Sequence, residues 1–224
     1  VPSNVALKKP DEFKLIGRPL KRVDTPEKVV GAAKFGIDVM VEGMRYAAIT
    51  ICPVMGGRVR SVDGSLSRTS PGVVDILEID DAVAVVGETY WAAKKGLDQL
   101  IVEWDEGPNS KLSSDDLWKG LRDSKSTPVL GKVIGDPDRE LSSGVRIQST
   151  YELPYLAHAA LEPINTTIQV QPDRCAIWVS TQEPEIPRIV ASVIIGLPIE
   201  KVTVHPHLIG ACLGGRLTCV AIQQ

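Results

Sequence analysis

Residues 73–97 read VVDILEIDDAVAVVGETYWAAKKGL, and this stretch decides the fold class. Two runs rich in β-branched residues, Val73–Ile79 and Ala82–Val86, are separated by an acidic turn, which predicts a pair of strands. The next residues, Thr89–Leu97, have the apolar spacing of an amphipathic helix. Strands that alternate closely with short helices favour an α+β fold over a doubly wound sheet.

Strand and helix signals of the same kind occur along the rest of the chain. The further predicted strands are Ala32–Val39, Arg45–Cys52, Arg58–Val62, Gln99–Trp104, Val145–Leu153, Asn165–Gln171, Arg174–Val179 and Val202–His205. The further predicted helical segments are a turn capped by Thr25, one turn over Ser65–Ser70, a helix from Ser113 to about Leu121, and Glu185–Ile195.

The composition along the chain predicts two domains. Residues 1–12 are polar without periodicity and indicate an extended arm, which leads into a first domain over 13–122. Residues 123–144 contain many Gly, Pro, Ser and charged residues, so we interpret them as a linker. The second domain then covers 145–224.

The overall composition excludes some function classes. The chain has 224 residues, 43% of them hydrophobic, and a net charge of -3, so nothing favours nucleic acid or an anionic membrane as a partner. No apolar run is long enough for a transmembrane segment. The start at Val1, without a Met, indicates a processed or internal segment.

The cysteines and histidines do not form a recognisable metal pattern. The four cysteines, Cys52, Cys175, Cys212 and Cys219, include no CxxC pair and favour free thiols over zinc ligands or disulfides. His205 and His207 flank a proline, and exposed turn histidines are favoured there over metal ligands. The sequence therefore assigns no metal ligand.

Two polar segments could carry chemistry. His158 and Glu162 are four residues apart and would share a helix face, although the prolines around them favour a short turn or a strand corner equally. A structural hydrogen bond is favoured over a catalytic dyad. The segment Ser180–Pro184 lies at a strand-to-helix junction, where ligands often bind, but a helix cap at Ser180 or Thr181 is the favoured interpretation.

The glycine-rich run Gly210–Arg216 is the third candidate. Its glycines allow backbone N–H groups to approach an anion, and Arg216 could pair with a phosphate or oxo group. A structural turn is an equal alternative, since no Walker pattern follows. No nucleophile–base arrangement is present, and no catalytic residue is assigned.

Taken in order, these segments resemble the large, molybdenum-cofactor-binding subunits of the xanthine dehydrogenase and aldehyde oxidase superfamily. The branch most similar is the isoquinoline 1-oxidoreductase beta-subunit type, which includes membrane-associated aldehyde dehydrogenase large subunits. The matching segments are IGRPLKRVDT (16–25), GAAKFGID (31–38), GMRYAA (43–48), PGV (71–73), WAAK (91–94), VEW (102–104), LPYLAH (153–158), LEP (161–163), STQ (180–182) and the glycine-rich run. The resemblance implies an a/b hammerhead domain followed by part of a molybdopterin-binding α+β domain.

The family resemblance also implies a cofactor, partners and site residues. It implies a molybdopterin cofactor in the complete enzyme, an aldehyde or N-heterocycle substrate, and as partners the remaining large-subunit polypeptide and an iron–sulfur small subunit. The implied cofactor-binding residues are Gly210, Ala211, Cys212, Leu213, Gly214, Gly215, Arg216 and Gln182.

The chain departs from the family pattern in its glycine-rich loop. The family usually has Gly-Gly-Gly-Phe-Gly followed by basic residues, whereas this chain has Ala211, Cys212, Leu213 and Gly215 at altered positions. A non-glycine residue at positive φ would be costly there. Related branches place a glutamine at the position of Leu156. No segment matches the family's general-base glutamate, so we expect the chain to be inactive, and to bind no stoichiometric molybdenum, by itself.

Two other functions stay open at this point. The loop substitutions favour a stand-alone, non-catalytic binding or assembly module of the same fold. A phosphate-binding enzyme is the weaker alternative, since the sequence has no catalytic base at the spacing of a known motif.

The family resemblance favours export to the periplasm, with a cytoplasmic location as the alternative.

Overall fold

The computed structural model describes residues 5–127, 129 and 131–217, which form two compact units. Unit one combines residues up to 39 with residues from 158 onward, and unit two comprises residues 40–157. The domain boundaries inferred from composition stay predictions, since compact units of contact need not coincide with domains.

The structure is mixed α and β, with small sheets, and this confirms the α+β class. The strands are Tyr46–Ile51 (β1), Arg58–Asp63 (β2), Val73–Ile79 (β3), Ala82–Gly87 (β4), Ile101–Asp105 (β5), Thr166–Gln171 (β6), Arg174–Val179 (β7) and Val202–Pro206 (β8). The α-helices are Thr25–Val29 (α1), Ser65–Arg68 (α2), Tyr90–Leu97 (α3), Ser114–Arg122 (α4), Pro137–Ser143 (α5) and Glu185–Ile195 (α6). Short 3-10 helices cover Pro10–Glu12, Gly36–Asp38, Gly107–Asn109 and Ile199–Lys201.

Unit two contains two antiparallel sheets, ordered β1–β4–β3 and β2–β5. Its core consists of Ile76, Val83 and Val85, against which apolar residues of β2, β5 and α3 pack. Helix α3 begins at a capped end, because the Thr89 side chain accepts a hydrogen bond from Ala92 N–H at 3.1 Å.

Unit one contains a three-stranded sheet ordered β6–β7–β8. Strands β6 and β7 are antiparallel, whereas β7 and β8 are parallel and are connected through α6. Helix α6 packs on the sheet through Ala191, which joins Cys175, Ile177 and Val202 in the core, and it ends at Gly196 in the left-handed conformation. The two parallel strands therefore end at the same edge of the sheet.

Two predicted strands are wrong. Residues 32–39 contain a single bridge at Phe35 and the 3-10 helix Gly36–Asp38, because the N–H groups of Gly36 and Ile37 donate to side chains instead of a neighbouring strand. Val145–Leu153 forms no strand, and Val145 is fully exposed, because no neighbouring strand pairs with this segment in the described structure. Alternating apolar residues alone do not make a strand without a partner.

Among the described residues, no helix is long and apolar enough to cross a membrane.

Two helical glycines are predicted to respond oppositely to substitution by alanine. A Cβ atom at Gly96 in α3 would lie 2.6 Å from Val73 Cγ2 and 2.9 Å from Val85 Cγ1, so Gly96→Ala should destabilise the protein by about 1–3 kcal/mol. A Cβ atom at Gly120 in α4 meets nothing within 4 Å, so Gly120→Ala should stabilise it by up to ~1 kcal/mol through helix propensity. Urea denaturation of the two variants measures both changes, and the same sign for both would contradict the packing described for α3.

Candidate functional site

The candidate site lies where β7 and β8 end in unit one. Ser180 follows β7 directly, and the chain leaves β8 towards the glycine-rich loop Gly210–Arg216. The two strands are still joined there, since His207 N–H donates to the Val179 carbonyl at 3.0 Å. The carboxyl ends of neighbouring parallel strands are a usual place for ligand-binding loops.

Glu162 holds both ends of this loop. Its Oε2 atom accepts hydrogen bonds from Gly210 N–H at 2.8 Å and from Arg216 Nη2 at 3.1 Å. Its backbone adds two more contacts, because Glu162 N–H donates to the Gly210 carbonyl at 2.9 Å and Arg216 Nη2 donates to the Glu162 carbonyl. The side chains of Glu162 and Arg216 are only 5% and 1% exposed, so this is a buried ion pair.

The other carboxylate oxygen of Glu162 is held by one distant and one nearby part of the chain. Oε1 accepts from Ile37 N–H at 3.1 Å and from Asn165 Nδ2 at 3.2 Å, and the Ser180 hydroxyl lies 3.2 Å away. Four donor groups thus bind the carboxylate within 3.2 Å, and the Ser180 hydroxyl is a fifth polar neighbour. The 3-10 helix that replaces the predicted strand at 32–39 supplies one of them.

Ser180 and Thr181 do not cap α6, so that interpretation was wrong. The N-cap residue is Pro184, and the Ser180 hydroxyl instead accepts from Gly36 N–H at 2.9 Å and donates to the Leu208 carbonyl at 2.8 Å. Thr181 Oγ1 donates to the Arg216 carbonyl at 3.0 Å. Both hydroxyls therefore connect the end of β7 to the loop that follows β8.

The loop backbone is tightly packed and contorted. A Cβ atom at Gly210 would lie 2.3 Å from Glu162 Cβ, and one at Gly214 would lie 2.1 Å from His158 Cδ2. Gly214 and Gly215 have φ values of 125° and 76°. Ala211 has φ of 81°, as expected for a residue in a family glycine position, and this left-handed conformation costs about 1–2 kcal/mol for alanine.

Several donors of the loop have no hydrogen-bond partner in the described structure. They are the N–H groups of Cys212, Leu213 and Gly214, and two further nitrogens of Arg216, Nε and Nη1. Ala211 N–H is used within the loop, because it donates to the Ile209 carbonyl at 3.1 Å. The loop therefore offers hydrogen-bond donors to an acceptor, and an anion is the acceptor that such a set favours.

The other predicted site residues are placed as follows. Gln182 is adjacent to the loop through its backbone, since its N–H donates to the Arg216 carbonyl at 3.2 Å. His158 is exposed and contacts the loop at Gly214, and no hydrogen bond in the described structure joins it to Glu162. Sequence reasoning missed Arg216 as the partner of Glu162, because 54 residues separate them and no local spacing connects them.

The thiols and remaining histidines are not gathered into one site. Cys52 and Cys175 are buried free thiols, Cys212 is an exposed one, and Cys219 lies outside the described residues. His205 stacks on Trp178, with ring centroids 5.2 Å apart. Within the described ranges, no group of three or more His, Cys, Asp or Glu side chains could hold a metal ion.

The surroundings of Glu162 favour its ionised form. Burial, the largest single effect, raises the pKa of Glu162, but the hydrogen bonds from Gly210, Asn165 and Ile37 and the charge of Arg216 together outweigh it. The pKa therefore lies below the ordinary value of 4.5. A folded-state pKa that is lowered contributes stability above the ordinary pKa, and that contribution is lost as the pH falls through the folded-state value.

We predict that Glu162→Gln destabilises the protein in a pH-dependent way. Near neutral pH the variant should lose about 3–5 kcal/mol of unfolding free energy, because Arg216 is left buried without its counter-charge. The difference from the wild type should be constant above pH 4.5 and narrow below it, since protonation then removes the charge of Glu162 in the wild type also.

Urea denaturation between about pH 7 and pH 3 measures this difference. Glu185→Gln is the control, because Glu185 is 61% exposed in its ion pair with Arg188 and should contribute less than about 1 kcal/mol. A difference between wild type and Glu162→Gln that stays constant down to pH 3 would show that the carboxylate charge is not what stabilises the site.

Comparisons with known proteins identify a family model and relatives that this chain matches. A family model described as "Molybdopterin cofactor-binding domain" matches residues 123–224. The chain is 32% identical over 225 residues to isoquinoline 1-oxidoreductase subunit beta of Brevundimonas diminuta, and the alignment covers 95% of this chain and 29% of the relative. It is 30% identical over 228 residues to the membrane-bound aldehyde dehydrogenase [pyrroloquinoline-quinone] of Gluconacetobacter polyoxogenes, and the alignment covers 96% of this chain and 30% of the relative.

Solved structures show the same fold at low sequence identity. Quinoline 2-oxidoreductase from Pseudomonas putida 86 matches with a TM-score of 0.65 and 16% identity over 95% of this chain and 32% of that chain. Aldehyde oxidoreductase from Desulfovibrio gigas matches with a TM-score of 0.65 and 15% identity over 90% of this chain and 28% of that chain. The chain thus spans less than a third of these proteins.

The comparisons confirm the resemblance first based on short motifs. Residues 123–224 match the molybdopterin cofactor-binding domain family, and the chain as a whole is similar to molybdenum-binding subunits of the xanthine dehydrogenase and aldehyde oxidase superfamily.

Proposed function

We propose that this chain supplies part of the molybdopterin site of an oxidoreductase large subunit that acts on an aldehyde or an N-heterocycle. The observation that supports it most is the glycine-rich loop, which carries three neighbouring N–H groups without partners at the carboxyl ends of β7 and β8. The relatives include aldehyde and isoquinoline oxidoreductases, and their names support the substrate class.

The donors of the loop fit such a cofactor. A molybdopterin group presents oxo, thiolate and phosphate acceptors, and backbone N–H groups together with Arg216 present only donors. Cys212 and Leu213 are exposed and Gly214 is half-buried, so their N–H groups lie in the part of the loop nearest solvent. Arg216 is 2% exposed, so its Nε and Nη1 atoms could donate only to a ligand group that is itself buried.

The residues of this chain bind and orient rather than transfer protons. When bound, the molybdenum centre supplies the redox chemistry that hydroxylates the substrate with oxygen derived from water. A general base needs an accessible lone pair, whereas Glu162 is buried and accepts hydrogen bonds from four donors. The catalytic base is therefore proposed to come from the remaining polypeptide of the large subunit.

The partners and location follow from the same proposal. The names "subunit beta" and "molybdenum-binding subunit" among the relatives support an assembly of several polypeptides. We propose that the remaining large-subunit polypeptide completes the site and that an iron–sulfur small subunit accepts the electrons. A periplasmic location after export is the favoured proposal, with the cytoplasm as the alternative.

A stand-alone, non-catalytic module is the second candidate function. It is supported by Ala211 at φ 81°, which makes the loop strained in comparison with one of glycines, and by the pairing of Arg216 with Glu162. This alternative predicts that the assembled protein carries no molybdenum and that its ligand affinity does not depend on the loop.

Metal and pterin analysis tests the proposal. The chain is purified from cells that make the cofactor, both alone and together with the polypeptides encoded beside it. We expect molybdenum in a roughly one-to-one ratio only in the assembled protein, because the loop provides only part of the donors. An assembled protein without molybdenum would favour the non-catalytic module, and turnover by the chain alone would overturn the expectation that it is incomplete.

Gly214→Ala should lower the molybdenum content of the assembled protein roughly tenfold or more, because the added methyl group overlaps His158 and strains a residue at φ 125°. Gly131→Ala is the matched control, since a Cβ atom there meets nothing within 4 Å. Equal molybdenum content in the two variants would show that the loop does not contact the cofactor.

A further inference from the structure

We propose that Glu162 is a positioning residue for the cofactor: its carboxylate closes the Gly210–Arg216 loop and so fixes the direction of the N–H groups between the loop ends. This inference rests on the proposed function. Glu162 does not contact the ligand in this proposal, and it acts through the loop that does.

One carboxylate oxygen contacts both ends of the loop. Oε2 of Glu162 accepts from the first residue of the loop, Gly210, and from the last, Arg216, at 2.8 Å and 3.1 Å. Together with the two backbone contacts of Glu162, these bonds close residues 211–215 into an arch. The three N–H groups without partners lie within this arch.

The carboxylate itself is prevented from turning. Its second oxygen, Oε1, accepts from Ile37 N–H and Asn165 Nδ2, which belong to segments outside the loop. Asn165 Nδ2 also donates to the Pro163 carbonyl at 2.8 Å, so its own orientation is fixed. The arch is consequently attached to the 36–38 segment and to the start of β6 through one side chain.

No other side chain reproduces this arrangement. Four groups donate to the carboxylate, two to each oxygen: Ile37 N–H and Asn165 Nδ2 to Oε1, and Gly210 N–H and Arg216 Nη2 to Oε2. A glutamine amide would direct its own NH2 group at one of these two pairs of donors. An aspartate is one methylene shorter, so it cannot reach Gly210 and Ile37 together from the same backbone position. Glu162→Gln should therefore release one side of the network even where the fold persists.

Two effects of Glu162→Gln must be separated: an unpaired charge on Arg216 and an open loop. The double variant Glu162→Gln/Arg216→Gln removes the buried charge, so its melting temperature should recover towards the wild-type value. Its side-chain closure should stay lost, because the carboxylate that joins Gly210 N–H to Arg216 and the guanidinium are both absent, whereas the backbone contact of residue 162 with the Gly210 carbonyl is kept. A residue that acted only through stability would recover both properties.

Hydrogen–deuterium exchange of the assembled protein, read by mass spectrometry, tests the positioning role. We expect the Gly210 amide in Glu162→Gln, and in the double variant, to exchange roughly tenfold faster or more than in the wild type. Exchange in the α6 peptide should change less than about twofold in the double variant. Molybdenum content, measured on the same samples, should fall with the loss of Gly210 protection. Glu185→Gln is the matched control and should change neither.

The outcomes distinguish this inference from the proposed function. A wild-type protein without molybdenum would overturn the proposed function. A loaded wild type whose Glu162→Gln variant keeps both Gly210 protection and full molybdenum content would overturn the positioning role alone. Equal acceleration in the loop and in α6 of the double variant would also overturn it, since Glu162 would then serve only the stability of unit one.

Discussion

The buried contact between Glu162 and Arg216 is the interaction on which the candidate site depends. Moving two charges out of water costs several kcal/mol for each ion, and this cost is offset only where the remaining lone pairs and protons find partners. Glu162 meets that condition, because donors from three other segments surround it. Arg216 meets it only in part, since Nε and Nη1 have no partner in the described structure. Within the ion pair, the oxygens of Glu162 therefore have hydrogen-bond partners, whereas Arg216 keeps two nitrogens that could donate to a bound ligand.

The parallel strands explain why the segments of the site meet at all. Strands β7 and β8 run in the same direction with α6 as the connection, so the residues after each strand arrive at one edge. Ser180 and the loop of Gly210–Arg216 are the residues that arrive there. Long-range hydrogen bonds, such as Thr181 Oγ1 to the Arg216 carbonyl, then fix the two loops to each other.

The sequence predicted the local elements well and the long-range ones poorly. The hairpin β3–β4 and helices α3 and α6 have clear local signals, namely β-branched runs, a threonine cap and a glycine at the helix end, and the structure confirms them. The segments 32–39 and 145–153 have strand-like composition, but strands need neighbours, and neither segment has a ladder in the described structure. Neighbouring strands are a property of the whole fold that no short window of sequence contains.

Long-range contacts were also the part of the candidate site that the sequence did not predict. Its glycine-rich loop was predicted from composition, since glycines and one arginine have a recognisable local pattern, and Glu162 was noticed through its spacing from His158. The partner of Glu162 was not predicted, because a single acidic residue has many possible cations and only the path of β8 brings Arg216 to it. The structure thus shows that Arg216, predicted as a ligand-binding cation, is the buried partner of Glu162.

The strain within the loop supports an arrangement set by the protein rather than by a ligand. Ala211 adopts a left-handed conformation that alanine avoids. Such conformations persist only where surrounding contacts over-determine them, and the bonds from Glu162 to both loop ends are contacts of that kind. A loop held in this way keeps its N–H groups in place before the ligand arrives, so binding need not also order the loop.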